Sequence, residues 1–426
     1  VGRSLRWQKS LERAREALAD YRFREARQGL TDYLLHRPND GAAHFLLAQA
    51  CRRARKQDLK AARLHLAEAR RLGYPAALVD REAALLRFQA EGNPQDGEKT
   101  LLQLVDTQPA DEELIREALV RGYFNAGRAP DALTQLCQWL ARFPDNWYAH
   151  LWRGALYQAM PRPGLAVTDY QQVLQVHPGD AWVERNLGLM LVEGTGNFEL
   201  ARTYLQKALE RDPTDDDARV GLASCWRALQ KPAAAQALLE QVLARHPDHV
   251  EALLTLALVD LDLDQPKRAL AVLQRAEPLV GHTDFQETLA RLKQLEVPAN
   301  NLEEVKHVLA VTHLLSTTLR HLGRDQEADA YQRRYEQVRA DFLELSRALA
   351  QVNTGQREPA LVRKIALLYP RVGMADYAES WLQMVLQKNP RDREANQALA
   401  DYYRHRKDAE SQRLARHYQA MADGKN

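Results

Sequence analysis

The chain has 426 residues, of which 45% are hydrophobic and 27% are charged, a composition typical of a folded soluble protein. Its 59 lysine and arginine residues nearly balance its 57 aspartate and glutamate residues, which leaves a net charge of +2. This balance excludes a global field that would drive binding to nucleic acid or an anionic membrane, so only local patches could do so. The sequence also contains no run of 18 apolar residues that could span a bilayer.

The first seven residues, VGRSLRW, place two arginines and a tryptophan just before the first predicted helix. This composition is typical of the flank of a membrane anchor, because tryptophan favours the membrane interface and arginine the cytoplasmic side. An ordinary helix start has the same composition. The sequence therefore leaves two alternatives, a membrane-associated protein anchored by a segment before Val1 and a soluble protein.

Prolines recur along the chain with a nearly constant spacing. Intervals of 35, 34, 35 and 34 residues separate Pro109, Pro144, Pro178, Pro213 and Pro247. An alanine lies twelve residues before the final proline of six segments, at Ala26, Ala132, Ala166, Ala201, Ala235 and Ala378. Four residues after each alanine comes a larger side chain, at Leu30, Leu136, Tyr170, Leu205, Leu239 and Leu382. A period of this size predicts a stack of repeated supersecondary units.

The repeated residue types have physical reasons. Spacings of three and four place the alanine and the larger residue on one helical face, and a side chain larger than methyl would force two closely crossing helices apart. Proline cannot continue a helix, so it ends the second helix of a unit. The Asp, Asn or Thr that follows can cap the next helix, as in PDNW and PTDDD.

Each unit resembles a tetratricopeptide repeat, a family pattern with bulky and small residues in helix A, alanines in helix B and a terminal proline. The segment ALVRGYFNAGRAPDALTQLCQWLARFP carries this pattern at Leu119, Tyr123, Ala132, Leu136 and Pro144. The resemblance implies an all-α fold, an α-solenoid superhelix of about eleven helix-turn-helix units. It also implies a protein-binding role for the concave wall, which the A helices line in this family.

The quality of the repeats varies along the chain and predicts four segments. Residues 1–109 form degenerate N-terminal repeats, and residues 110–280 form regular repeats. Residues 281–301 break the phase, and residues 302–426 form C-terminal repeats with a long helical pair and a polar capping unit.

A search for chemistry finds no catalytic, cofactor-binding or metal-binding motif. The sequence has no G-x-x-x-x-G-K-[ST], no H-E-x-x-H and no CxxC, and His246 and His249 lie on either side of a proline turn. The acidic run from Asp215 to Asp217 predicts a helix start rather than a pair of catalytic carboxylates. Cys51, Cys137 and Cys225 are expected to be small apolar fillers of helix interfaces. We therefore expect no enzyme activity and no cofactor.

One basic cluster lies in the segment CRRARKQDLKAARLHLAEARRLG, which begins at Cys51. It contains Arg52, Arg53, Arg55, Lys56, Lys60, Arg63, Arg70 and Arg71. Such a cluster suits a solvated helix face, an acidic peptide or an anionic membrane surface near the N-terminus. It lacks the interleaved aromatic residues that stack on bases, so nucleic acid is not expected as a partner.

The resemblance to tetratricopeptide repeats transfers helix-A groove positions onto this chain. The residues predicted to bind a partner are Leu114, Glu117, Arg121, Tyr148, Leu151, Trp182, Arg185, Leu189, Val220, Ser224, Arg227, Leu254 and Leu258. Aromatic and arginine anchors among aliphatic residues are favoured at protein interfaces, and they suit an extended peptide or helix with acidic and apolar side chains. Each of these residues could instead pack between repeats.

Three functions therefore compete. The first is a non-enzymatic scaffold or adaptor that binds a protein or peptide in its concave groove, with or without a membrane anchor. The second is a component of envelope or polysaccharide-export assembly that touches polysaccharide. The third is the repeat portion of a larger enzyme. The sequence does not predict the oligomeric state.

Overall fold

The computed structural model describes residues 2–54, 58–91, 95–126, 128–160, 162–280, 302–353, 358–404 and 409–424. These residues contain 22 α-helices and no strand, which confirms the all-α prediction. The first ten helices are α1 (Gly2–Ala19), α2 (Phe23–His36), α3 (Gly41–Arg53), α4 (Leu59–Arg71), α5 (Ala76–Glu91), α6 (Gln95–Thr107), α7 (Glu112–Asn125), α8 (Ala129–Arg142), α9 (Trp147–Ala159) and α10 (Pro163–Val176). The remaining helices are α11 (Ala181–Gly194), α12 (Phe198–Arg211), α13 (Asp216–Ala228), α14 (Pro232–Arg245), α15 (Val250–Asp262), α16 (Pro266–Ala276), α17 (Leu302–His321), α18 (Asp325–Asn353), α19 (Pro359–Arg371), α20 (Ala375–Lys388), α21 (Arg393–Arg404) and α22 (Ala409–Ala422).

The helices follow one another as helix-turn-helix pairs, α1 with α2 through α21 with α22. We call the first helix of each pair the A helix and the second the B helix. The described helices make eleven pairs, the number expected for the predicted α-solenoid. The pair α17 and α18 is the longest, with helices of 20 and 29 residues.

The chain divides into two compact units. The first contains the described residues up to Val183, and the second contains the described residues from Glu184 onward. This division lies inside segment 110–280, which the sequence predicts to be one regular array. The predicted phase break at 281–301 lies outside the described residues, so the four predicted segments stay predictions.

The repeat alanines lie where the helices pack closely. All six alanines and the six larger residues that follow them are completely buried. Gly188 shows how tight these contacts are, because a Cβ added to it would lie 2.6 Å from Leu205 Cγ. Small side chains at these positions therefore allow the A and B helices of a pair to approach.

The residues after the repeat prolines cap the next A helix as predicted. The side chains of Asp40, Asn146 and Asp215 accept hydrogen bonds from backbone N–H groups of α3, α9 and α13. At α15 the cap is His249, whose Nδ1 accepts from Ala252 N at 3.2 Å. These caps satisfy backbone donors that have no partner inside the helix.

The turn between the A and B helices repeats the same left-handed backbone conformation. Its φ is +70° at Gly323 and +83° at Gly373, and it is also positive at Tyr21, Gln230 and Asp264. A positive φ is unfavourable for a residue with a Cβ and most unfavourable for a bulky one. The aromatic residue at position 21 therefore needs contacts that compensate this cost.

Candidate partner-binding surface

The predicted groove residues lie on the A helices α7, α9, α11, α13 and α15, but they differ widely in exposure. Glu117 and Arg121 are completely buried, and Tyr148, Val220 and Leu254 are nearly so. The other predicted residues are partly exposed, namely Leu114, Leu151, Trp182, Arg185, Leu189, Ser224, Arg227 and Leu258. In this conformation, only the partly exposed residues present a side chain to a partner.

Glu117 and Arg121 belong to an ion network inside the first unit. Glu117 lies 2.8 Å from Arg53 Nε and 3.2 Å from Arg121 Nε. Arg121 also donates to the backbone oxygens of Arg53 and Ala54 and to the hydroxyl of Tyr148. A buried charge is tolerated when it is paired and hydrogen-bonded, so these two groove candidates bind the chain itself.

Tyr148 is covered by a residue that the groove prediction omitted, Tyr21 in the turn between α1 and α2. The two rings stack with their centroids 4.4 Å apart. The Tyr21 hydroxyl donates to Glu113 Oε2 at 3.0 Å and accepts from Asn146 Nδ2 at 2.8 Å. Its ring also meets Trp147 edge-on, with the centroids 5.6 Å apart. The contact therefore joins the first helix pair to the fifth, across 125 residues of sequence.

The basic cluster is only partly a solvated face. Arg52 is completely buried and pairs with Glu82 at 2.5 Å, and Arg53 pairs with Glu117 as described above. Arg55 and Lys56 lie outside the described residues. Lys60, Arg63, Arg70 and Arg71 of α4 are exposed. The interpretation of the whole cluster as one solvated patch is therefore wrong for Arg52, because its position faces α5 rather than solvent.

In the second unit, ion pairs link successive A helices near the predicted groove residues. Arg185 of α11 lies 3.3 Å from Asp215 and 3.7 Å from Asp217, at the start of α13. Arg227 at the end of α13 lies 3.2 Å from Asp262 at the end of α15.

The acidic partners in these pairs differ in exposure, because the side chain of Asp215 is only 12% exposed. The side chain of Asp217 is 62% exposed and that of Asp262 is 43% exposed. Ion pairs of this kind contribute only about 0–1 kcal/mol to stability. Five of the predicted groove residues on these three helices are partly exposed and belong to the second unit. We call them the A-helix row, which consists of Arg185, Leu189, Ser224, Arg227 and Leu258.

Trp182 lies one turn before Arg185 on α11. Its ring meets the Tyr170 ring edge-on, with the centroids 5.9 Å apart. This geometry is the usual packing of aromatic side chains between helices. Part of the Trp182 indole thus packs against α10.

Asp260 of α15 is a buried carboxylate that the sequence search missed. It occupies the helix-A position at which other repeats carry Tyr123, Tyr157 or Trp226. One carboxylate oxygen lies 3.3 Å from Arg268 Nε. Burial nevertheless raises the pKa of Asp260 to about 6, against the lowering effect of Arg268. The signal in the sequence was an acidic residue at a position that the repeat pattern fills with an aromatic ring.

The cysteines divide into two groups. Cys51 and Cys225 are buried, and burial raises the pKa of the Cys51 thiol to about 11. Cys137 is exposed on α8, so the prediction that it fills a helix interface is wrong. It points away from the face of α8 on which Ala132 and Leu136 pack.

Within the described ranges, no group of three or more His, Cys, Asp and Glu side chains could hold a metal ion. The helices of the same ranges include none with the length and apolar character needed to cross a membrane.

Comparison with known family profiles agrees with this architecture. A family profile described as tetratricopeptide repeat matches residues 194–239 and 227–292. A second profile of the same description matches residues 117–181 and 157–216.

Solved structures also match, at low identity. The crystal structure of MamA is 16% identical, with 43% of this chain and 96% of that chain covered and a TM-score of 0.36. The crystal structure of PilW, described as a widely conserved type IV pilus biogenesis factor, is 20% identical, with 59% and 95% covered and a TM-score of 0.40. A structure of pilF from Pseudomonas aeruginosa is 20% identical, with 51% and 88% covered and a TM-score of 0.35. These values transfer no function, and it is the family profiles over residues 117–292, together with the described helix pairs, that show tetratricopeptide repeats in this chain.

Proposed function

We propose that the chain is a non-enzymatic scaffold that holds a protein partner on the A-helix row of its second unit. The observation that carries the proposal is the row itself, in which two arginines and two leucines are partly exposed on three successive A helices. Arginine beside aliphatic side chains is a composition favoured where proteins bind each other. The tetratricopeptide repeats of the chain support a protein as the class of partner.

The ion pairs of the row favour a partner with acidic side chains. Arg185 holds the exposed Asp217 in addition to the largely buried Asp215, and Arg227 holds the exposed Asp262. The contacts with Asp217 and Asp262 cost little to exchange. A partner carboxylate can replace Asp217 or Asp262 without leaving either displaced acid buried. Leu189 and Leu258 offer partly exposed apolar surface on the same three helices, so the partner we propose is an extended or helical segment with acidic and apolar residues.

The test uses a charge-reversal variant, Arg185→Glu/Arg227→Glu, and a matched control, Arg324→Glu. Arg324 also sits in an exposed ion pair, 2.7 Å from Glu327, but at the start of α18 and not on the row. The full chain and both variants serve as baits for quantitative affinity purification. Each captured protein is then produced separately, and its Kd is measured by calorimetry.

We expect the double variant to bind the captured partner at least about tenfold more weakly than the wild type, because reversing the charges replaces attraction by repulsion. The Arg324→Glu variant should bind like the wild type. Equal affinities for the wild type and the double variant would rule out the row as the binding surface. Capture of polysaccharide, or turnover of a captured metabolite, would favour the envelope-assembly or enzyme alternative.

An anionic membrane surface near the N-terminus is a second candidate, favoured by one observation on α4. Lys60 and Arg63 are exposed beside Leu64, whose side chain is 66% exposed. Cations around an exposed apolar residue suit the surface of an anionic bilayer. Co-sedimentation with vesicles of phosphatidylserine and phosphatidylcholine tests this. Lys60→Glu/Arg63→Glu should reduce binding, and equal sedimentation of the wild type with neutral vesicles would refute the proposal.

A further inference from the structure

Tyr21 occupies a turn position at which its backbone conformation is unfavourable for its side chain. Its φ is +58°, a value that glycine adopts without cost and that a bulky aromatic residue avoids. The equivalent turns carry glycine at Gly323 and Gly373. The same hydrogen bond closes each turn, from Arg22 N to Ala17 O at Tyr21 and from Arg324 N to Leu319 O at Gly323. The backbone alone therefore gives no reason for a tyrosine here, and the reason must lie in what its side chain contacts.

The contacts of the Tyr21 side chain are those of a bound ligand. Its ring face stacks on Tyr148, and its ring edge meets Trp147. Its hydroxyl is both a donor, to Glu113, and an acceptor, from Asn146. The hydroxyl thus both donates to and accepts from side chains of other helix pairs.

Part of the surface that Tyr21 contacts is held in place by hydrogen bonds that do not involve Tyr21. The Asn146 amide donates to Glu113 Oε2 at 2.5 Å, and its carbonyl caps α9. The Arg53 guanidinium lies 5.3 Å from the Tyr21 ring centroid and forms an ion pair with Glu117. Arg53 also contacts Leu18 O and the Phe23 ring of the α1–α2 pair. The contacts of Glu113 and Asn146 with each other and with α9 do not involve that pair, so this part of the site is preorganised.

Tyr21 lies in a helix pair that is joined to the rest of the unit mainly through α3. Both α1 and α2 pack against α3. The connection of the pair to α3 is the short segment 37–40. Withdrawal of the pair would expose Leu18 and Phe23, which are buried, so the binding of a partner must offset this cost.

We propose that the side chains of Arg53, Glu113, Asn146, Trp147 and Tyr148 form a tyrosine-binding site, which the chain's own Tyr21 fills as an internal ligand and which a tyrosine side chain of a partner occupies when the α1–α2 pair swings away. We call these five residues the tyrosine site. The site belongs to the first unit and is independent of the A-helix row. A partner that presents an exposed tyrosine gains the stacking and both hydrogen bonds, whereas one that presents a phenylalanine loses both hydrogen bonds.

The test compares the wild-type full chain with Tyr21→Gly, Tyr21→Phe and a matched control, Gln230→Gly. Gln230 has the same φ of +58° in the equivalent turn of another pair, and the same hydrogen bond closes it, from Lys231 N to Trp226 O at 2.9 Å. The probe is N-acetyltyrosinamide, with N-acetylphenylalaninamide as the comparison compound. Binding is measured by saturation-transfer NMR and calorimetry.

We expect the Tyr21→Gly variant to bind N-acetyltyrosinamide at least about tenfold more tightly than the wild type or Gln230→Gly, and to prefer it to N-acetylphenylalaninamide by about tenfold, the effect of one or two hydrogen bonds. Adding Glu113→Gln/Asn146→Ala should remove the preference. Equal binding of the two compounds, or equal binding to wild type and Tyr21→Gly, would overturn the proposal.

If Tyr21→Gly does not fold, Tyr21→Phe decides the question alone, because it keeps the ring contacts. It should bind the tyrosine probe more tightly than the wild type, and equal binding would again overturn the proposal.

Discussion

Replacing Asp260 by asparagine should stabilise the protein, and the gain should depend on pH in a defined direction. Burial raises the pKa of Asp260 from 3.8 to about 6 in the folded state. Between these values the folded chain keeps a proton that the unfolded chain has lost, so stability falls as pH rises through this window. The asparagine of the variant would carry no charge at any pH, so the variant would escape this loss.

The magnitude follows from the two pKa values. One pKa unit corresponds to about 1.36 kcal/mol, so the raised pKa of Asp260 lowers the free energy of unfolding by about 3 kcal/mol at pH 7.5 and by about 1 kcal/mol at pH 4.5. Arg268, which loses its contact with Asp260 in the variant, keeps Glu240 at 2.6 Å. The gain from Asp260→Asn should therefore grow by about 2 kcal/mol between the two pH values.

Urea unfolding of wild type and variant at pH 4.5, 6.0 and 7.5, followed by circular dichroism, measures this difference. Asp248→Asn is the matched control, because Asp248 is exposed in the turn before α15 and its replacement should change stability little at any pH. A gain from Asp260→Asn that is the same at all three pH values would refute the assignment of Asp260 as a buried, destabilising carboxylate. So would a loss of stability at pH 7.5.

Three further predictions concern the packing and the buried charges. Ala235→Leu should destabilise the second unit by about 1–3 kcal/mol through overpacking. The control Ala234→Leu, on the exposed side of α14, should leave stability unchanged. Equal urea midpoints for the two variants would contradict the role of the repeat alanine. Glu117→Leu should cost about 3–5 kcal/mol, because it leaves Arg53 and Arg121 without their buried carboxylate, and a thermal unfolding midpoint unchanged from the wild type would contradict this. Burial and the neighbouring His44 lower the pKa of His65 below 6.5, so its contribution to stability is present above pH 6.5 and lost as pH falls. His65→Gln should accordingly lose less stability than the wild type between pH 7.5 and pH 5.5, and parallel urea midpoints for the two proteins would refute the assignment.

Most of the fold could be predicted from the sequence because its rules are local. The alanine at Ala132 and the leucine at Leu136 share one helical face whatever the rest of the chain does. Proline likewise ends a helix by its own geometry, and the Asp or Asn after it caps the next one. Eleven helix pairs follow from rules that reach no further than about 40 residues.

The candidate surface could not be predicted to the same extent, because it depends on contacts between distant repeats. The family pattern places Arg121 on the inner side of an A helix, but it does not tell whether that side meets solvent or another helix. Arg121 is buried because α3 and α9 approach it, and Tyr148 is covered because Tyr21 reaches it from 125 residues away. Such distances are set by the summed rotation between successive pairs, which each pair fixes only through its packing.

The contact between Tyr21 and Asn146 also restricts how the protein can change in evolution. A repeat array normally gains or loses whole units at little cost, because each unit touches only its neighbours. Inserting or deleting one helix pair between residues 41 and 142 would move Asn146 away from Tyr21 and break this contact. The number of units in that stretch is thus fixed by geometry.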